Sequence, residues 1–153
     1  MRLNMKTKVG WLLVAALLLA AGSAQSAKDA KNDTAKFAGK WTIEELTYDG
    51  NDHSKLKINI VFKGDEGIIE GDARVKNEYA RIKFKLDPTT TPKIMEIKIA
   101  GGSQTDATME AIYELKGDEL RICARVFGKG RPTKFESPEG ESIALVVLKR
   151  VNP

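Results

Sequence analysis

Cysteine and histidine are almost missing from this chain, whose 153 residues hold one of each, Cys123 and His53. One cysteine excludes an intrachain disulfide and a multi-cysteine zinc site, and one histidine excludes a two-histidine metal centre. Aromatic residues make up only 7%, too sparse for a base-stacking platform. A surplus of one charge is also missing once the chain is divided. The net charge is +4, but Arg2, Lys6 and Lys8 lie in the first 27 residues, which leaves 22 basic against 21 acidic side chains in the remainder. Nothing in that balance calls for nucleic acid. No G-x-S-x-G, P-loop or G-x-G-x-x-G occurs, and no two of the 21 carboxylates are spaced for glycoside chemistry. A non-enzymatic protein with no cofactor is expected.

The first 27 residues hold 17 of the apolar ones. Three positive charges up to Lys8 precede the uncharged run Val9–Ala21, and the small-residue stretch GSAQSA follows. This is the three-part pattern of a secretory signal peptide over 1–27. The 13-residue run is short for a bilayer span, which needs about 20. Cleavage after Ala24, Ser26 or Ala27 is expected, followed by export with no membrane span in the mature chain. Residues 28–34 are polar and read as a disordered linker. Thr34–Gly39 has the composition for one helical turn, and no other stretch shows a helical period.

From Trp41 onward the period is two. Leu56, Ile58, Ile60 and Phe62 alternate with polar residues, as do Ala80, Ile82, Phe84 and Leu86, then Met95, Ile97 and Ile99. Met109, Ala111, Tyr113 and Leu115 follow, then Leu120, Ile122, Ala124 and Val126. One buried and one wet face is the mark of antiparallel sheet. Ile143–Leu148 is apolar on both faces, and Phe37 is the expected outer cover. Turn signals such as Asp49-Gly50, Asp87-Pro88 and Gly117-Asp118 divide the body into eight strands, near 41–48, 56–63, 67–75, 79–86, 93–99, 108–116, 119–126 and 143–150. Short consecutive connections predict an all-β, eight-stranded antiparallel up-and-down barrel over 35–153, since closure removes exposed edges.

Gly39-Lys40-Trp41 opens the first strand and Lys149-Arg150 ends the last. The arrangement resembles the lipocalin-like (calycin) pattern, in which G-x-W begins strand one and a basic side chain from the final strand lies over the indole. Physically, the indole plugs the narrow end and a guanidinium stacks on its face. A closer resemblance covers nearly all of 35–150. It rests on Phe37-Ala-Gly-Lys-Trp41, Phe84-Lys-Leu-Asp-Pro88, Ile112–Leu120, Arg121-Ile-Cys123, Arg131-Pro-Thr-Lys-Phe135 and Leu145–Arg150. These stretches are similar to a family of small, mostly exported domains of uncharacterised function typical of planctomycete bacteria. The resemblance implies a lipocalin-like fold and brings no catalytic residues. His53-Ser54 departs from it, standing where an apolar or proline-containing step is usual.

Four candidate sites follow. The inward residues Ile58, Ile60, Phe62, Ile82, Phe84, Ile97, Met109, Ala111, Tyr113, Ile122 and Ala124 either line an apolar cavity or fill the barrel, which at eight strands is just wide enough for side chains. Lys129, Arg131 and Lys134, with Pro132 and Phe135, either form an anion-binding rim in the longest connection, 128–141, or serve that loop structurally. Cys123, between Arg121 and Arg125, is either a reactive thiol or a small side chain on a covered outer face. His53, beside Asp49 and Asp52, is either a proton shuttle or a solvated loop residue. Trp41 and Arg150 are the barrel-closing pair. The expected protein is an exported, monomeric binder of a small apolar or amphipathic molecule, with a protein-interaction or inhibitor module acting through 128–141 as the alternative.

Overall fold

The computed structural model describes residues 23–152. The charged and apolar parts of the expected leader lie outside them. Helix α1 runs to residue 37 and is followed by β1 (Gly39–Tyr48), β2 (Asn51–Asp52), β3 (Ile58–Lys63) and β4 (Glu66–Gly71). Then come α2 (Ala73–Glu78), β5 (Arg81–Asp87), β6 (Lys93–Gly101), β7 (Thr108–Lys116), β8 (Glu119–Arg125) and β9 (Ile143–Arg150). Apart from β2, which folds back on the end of β1, eight strands pair antiparallel in chain order, and β1 pairs with β9 to close the barrel. The expected eight-stranded up-and-down barrel is the one observed.

The alternation explains the core. Ile58, Ile60 and Phe62 are buried on β3, Ile82, Phe84 and Leu86 on β5, and Met95, Ile97 and Ile99 on β6. The charged residues between them stay exposed on the outer wall. Ladder lengths are uneven. β1 pairs with β9 from Trp41–Arg150 to Tyr48–Ala144, with a bulge between Ile43 and Glu45. By contrast, β1 pairs with β3 only as far as Thr42–Asn59, and β4 meets β5 only at Glu66–Lys83, Gly67–Ile82 and Ile68–Arg81.

Three expectations need correction. Residues 28–34 are not a linker but part of α1, which is helical throughout 23–37, so the folded body begins before residue 35. A polar composition hid one buried anchor, Asp33, which is 5% exposed. Phe37 does not cover β9 from outside; it is fully buried within the barrel core. It follows Asp33 by four residues, so one helix face carries both into the barrel end. The expected third strand, 67–75, stops at Gly71, and its remainder enters α2, where Ala73 is exposed. The Asp72 carboxylate accepts from the N–H groups of Arg74 and Val75 and so starts that helix.

Candidate functional site

The α1 end of the barrel is plugged by side chains. Trp41 is fully buried, and its Nε1–H donates to the Phe37 carbonyl at 2.8 Å. The Arg150 guanidinium lies 4.3 Å from the Trp41 ring centroid. It donates to the carbonyls of Ala38 at 2.9 Å and Lys36 at 2.8 Å, and to Asp118 at 3.1 Å. The closing pair expected from the sequence is therefore in contact, and it grips the end of α1 as well as the indole. Inside, the Phe37 ring sits 5.4 Å from Phe62, 5.4 Å from Phe84 and 5.5 Å from Tyr113. Such edge-on and stacked contacts add to the simple burial of the rings.

Asp33 completes this end, and the sequence reading missed it. Tyr113 Oη donates to its Oδ2 at 2.7 Å and Lys93 Nζ donates to the same oxygen at 2.8 Å, while Lys36 Nζ lies 3.5 Å from Oδ1. Burial alone would raise the Asp33 carboxyl, but the hydrogen bonds from Lys93 and Tyr113 and the two ammonium charges outweigh it and hold it below the usual carboxylate range. Burial, then the bond to Asp33, pushes the Tyr113 phenol well above its ordinary value. Tyr113 is thus a neutral donor. The only sequence signal for Asp33 was its helical spacing to Phe37.

The expected ligand-lining residues do share the interior. Ile58, Ile60, Phe62, Ile82, Phe84, Ile97, Ala111, Tyr113, Ile122 and Ala124 are all buried in one cluster, with Met109 half-buried against it. Packing is close around Gly67, where an added Cβ would lie 2.9 Å from Ile82 and 3.1 Å from Phe62. The least bulky strip is elsewhere. Ala111 pairs with Ala124 and Ala124 with Ala144, so three alanines stand in register across β7, β8 and β9.

The opposite end is covered by α2, which has no buried residue. Its Val75, together with Tyr79 and Leu56, packs half-buried on the core. Backbone bonds tie this cap down. Asp72 N–H donates to the Lys57 carbonyl, Ser103 N–H to Asn77 and Gln104 N–H to Glu78. Gly102, at φ +98°, passes so close that a Cβ there would lie 2.5 Å from the Glu78 carbonyl oxygen.

The 128–141 connection lies along the outer wall. Arg131 donates to the carbonyls of Met95 at 3.0 Å and Ala111 at 2.7 Å, with Glu96 and Glu110 at 3.9 and 3.7 Å. Arg125 donates to the Gly130 and Glu141 carbonyls, each at 2.6 Å. Pro132 is buried, and Phe135 packs with Leu145 over Ile112, Cys123 and Ile143, under the Arg121 guanidinium at 4.5 Å. This strap supplies the outer cover that β9 needs. Only Lys129 and Lys134 of the expected rim cations stand exposed. Cys123 is fully buried beneath the strap, and burial pushes its thiol up despite Arg121. His53 is exposed, and its neighbouring carboxylates are engaged, Asp49 by Ser142 N–H and Asp52 by Ser54. No group of three metal-ligating side chains comes together among the described residues.

A cleft of about 440 Å³ opens beside α1, lined by Asp33, Ala35, Lys36, Lys93, Leu115, Gly117 and Arg150. Comparison with protein-family models, curated proteins and solved structures finds no match for this chain.

Proposed function

We propose that this chain is an exported, non-enzymatic, lipocalin-like protein that binds a small apolar or amphipathic molecule. The guest enters the barrel from the α2 end. The observation that supports this is the pair of short seams flanking the β3–β4 hairpin, ending at Thr42–Asn59 on one side and at Ile68–Arg81 on the other. Beyond those pairs the hairpin and α2 form a flap held by single backbone bonds, such as Ile69 N–H to the Ala80 carbonyl at 3.1 Å, rather than by strand pairs. Across the barrel from the flap stands the alanine row Ala111, Ala124 and Ala144, whose small side chains leave the least bulk to displace. The α1 end cannot serve as the entrance, because its rings and hydrogen bonds fill it.

The one buried carboxylate, Asp33, is paired at the α1 end, so a guest entering from the α2 end is held by burial. Removing roughly 250 Å² of apolar area from water contributes about 6 kcal/mol before ordering losses, so micromolar affinity is the expected ceiling. The test is titration with an uncharged naphthylamine fluorophore. One saturable site is expected, lost in Ala124→Leu while the thermal melt stays cooperative. Absence of saturable binding by the wild type overturns the reading.

A further inference from the structure

We propose that the cleft beside α1 is a second binding site, for a small carboxylate carrying a short apolar chain. Three of its lining side chains, Lys36, Lys93 and Arg150, are cations and only Asp33 is an anion. The four do not cancel. Asp33 has both oxygens engaged, Oδ2 with Lys93 at 2.8 Å and Oδ1 with Lys36 at 3.5 Å, so this shared carboxylate gathers both ammonium groups at the cleft. An ammonium carries three N–H donors, so each lysine keeps donors for a further acceptor. Their side chains are 38% and 64% exposed, so those donors are open to a ligand. Arg150 is spent on Trp41, Asp118 and two carbonyls, so it walls the cleft rather than binding. The rest of the wall is apolar: Ala35 on α1 and Leu115, which packs against the core.

Donors from two neighbouring cations suit a carboxylate, which only accepts. Inorganic phosphate satisfies the same donors but leaves Leu115 and Ala35 uncovered, whereas a chain of a few carbons covers them. The volume of about 440 Å³ falls in the range of small-molecule sites. The site is separate from the barrel interior and does not rest on a guest being bound there.

The experiment is an amide chemical-shift titration of the folded protein with hexanoate, hexanol, acetate and inorganic phosphate. Hexanoate is expected to shift Lys36, Lys93, Leu115 and Gly117 with saturation, and to bind about tenfold more tightly than acetate or hexanol. Lys36→Gln, at an exposed position, is expected to weaken hexanoate by about threefold, the size of an exposed ion pair, with the fold unchanged. Hexanol binding as well as hexanoate, phosphate binding as well as hexanoate, or shifts confined to Val75 and Tyr79 would each overturn the proposal. Displacement of the naphthylamine probe by hexanoate would do so too, by making the two sites one.

Discussion

The two ends of the barrel are closed by different means. At the α1 end the closure is made by side chains: a fully buried indole and phenyl ring, a stacked guanidinium and a buried carboxylate with two cationic partners. At the α2 end it is made by backbone, with carbonyls of Lys57, Asn77 and Glu78 accepting N–H donors across the loops and no buried residue on the helix. A side-chain plug gains stability from buried apolar area. A backbone latch gains little, because its bonds replace bonds to water. The first end is therefore the more firmly closed, while the second has only the half-buried Val75, Tyr79 and Leu56 as apolar contacts.

Breaking the plug gives the largest effect. Trp41→Ala is expected to cost about 3–5 kcal/mol in urea unfolding, as large-to-small core changes do, and a loss under about 1 kcal/mol would mean the α1 end is not the rigid one. Gly102→Ala attacks the latch. It places a Cβ against the Glu78 carbonyl at positive φ, so a cost of about 2 kcal/mol is expected. Hydrogen exchange should then rise in α2 while Trp41 fluorescence stays native. Arg150→Ala removes the stack and three hydrogen bonds, with an expected cost of about 1–2 kcal/mol. Arg150→Lys restores little of it, since an ammonium lacks the planar fork.

Acid sharpens the contrast further. The Asp33 carboxyl is held below its ordinary value, so its contribution is present above that value, about 4, and is lost as pH falls through the folded value. Acidification is expected to loosen α1 before the barrel. Asp33→Asn, costing about 1 kcal/mol, should remove that acid step, as read by exchange at Phe37 and Ala38. An unchanged acid profile in the variant would assign the step to other carboxylates.

The same division explains what was legible in the sequence. Period-two alternation located five of the eight strands, since each of those wets one face, and turn signals bounded the others. Trp41 and Arg150 were legible through the resemblance of G-x-W and the terminal Lys-Arg to the calycin pattern, in which a guanidinium stacks on a buried indole. Ala111, Ala124 and the inward isoleucines followed from the same register, whereas Ala144 did not, since β9 is apolar on both faces. Asp33 was not legible. A polar run with one buried charge has the composition of a linker, and its partners Lys93 and Tyr113 are distant in sequence. The α2 cap was hidden for the opposite reason: backbone bonds hold it, and it has no apolar stripe to leave a period. The strap was legible in composition but not in place, because Phe135 and Pro132 needed a surface and Ile112, Cys123 and Ile143 needed a cover.

The pairing of β1 with β9 sets the order in which the molecule can be made. Trp41 meets Arg150 across nearly the whole described chain, so the ring cannot close until the last strand has left the ribosome. Pairings of such long range fold slowly. Until then the nascent chain carries two unpaired edges, on β1 and β8, and a plug whose guanidinium clasp has not arrived. A chain cut short before Ile143 would keep both edges permanently, as templates for strand addition by its own copies.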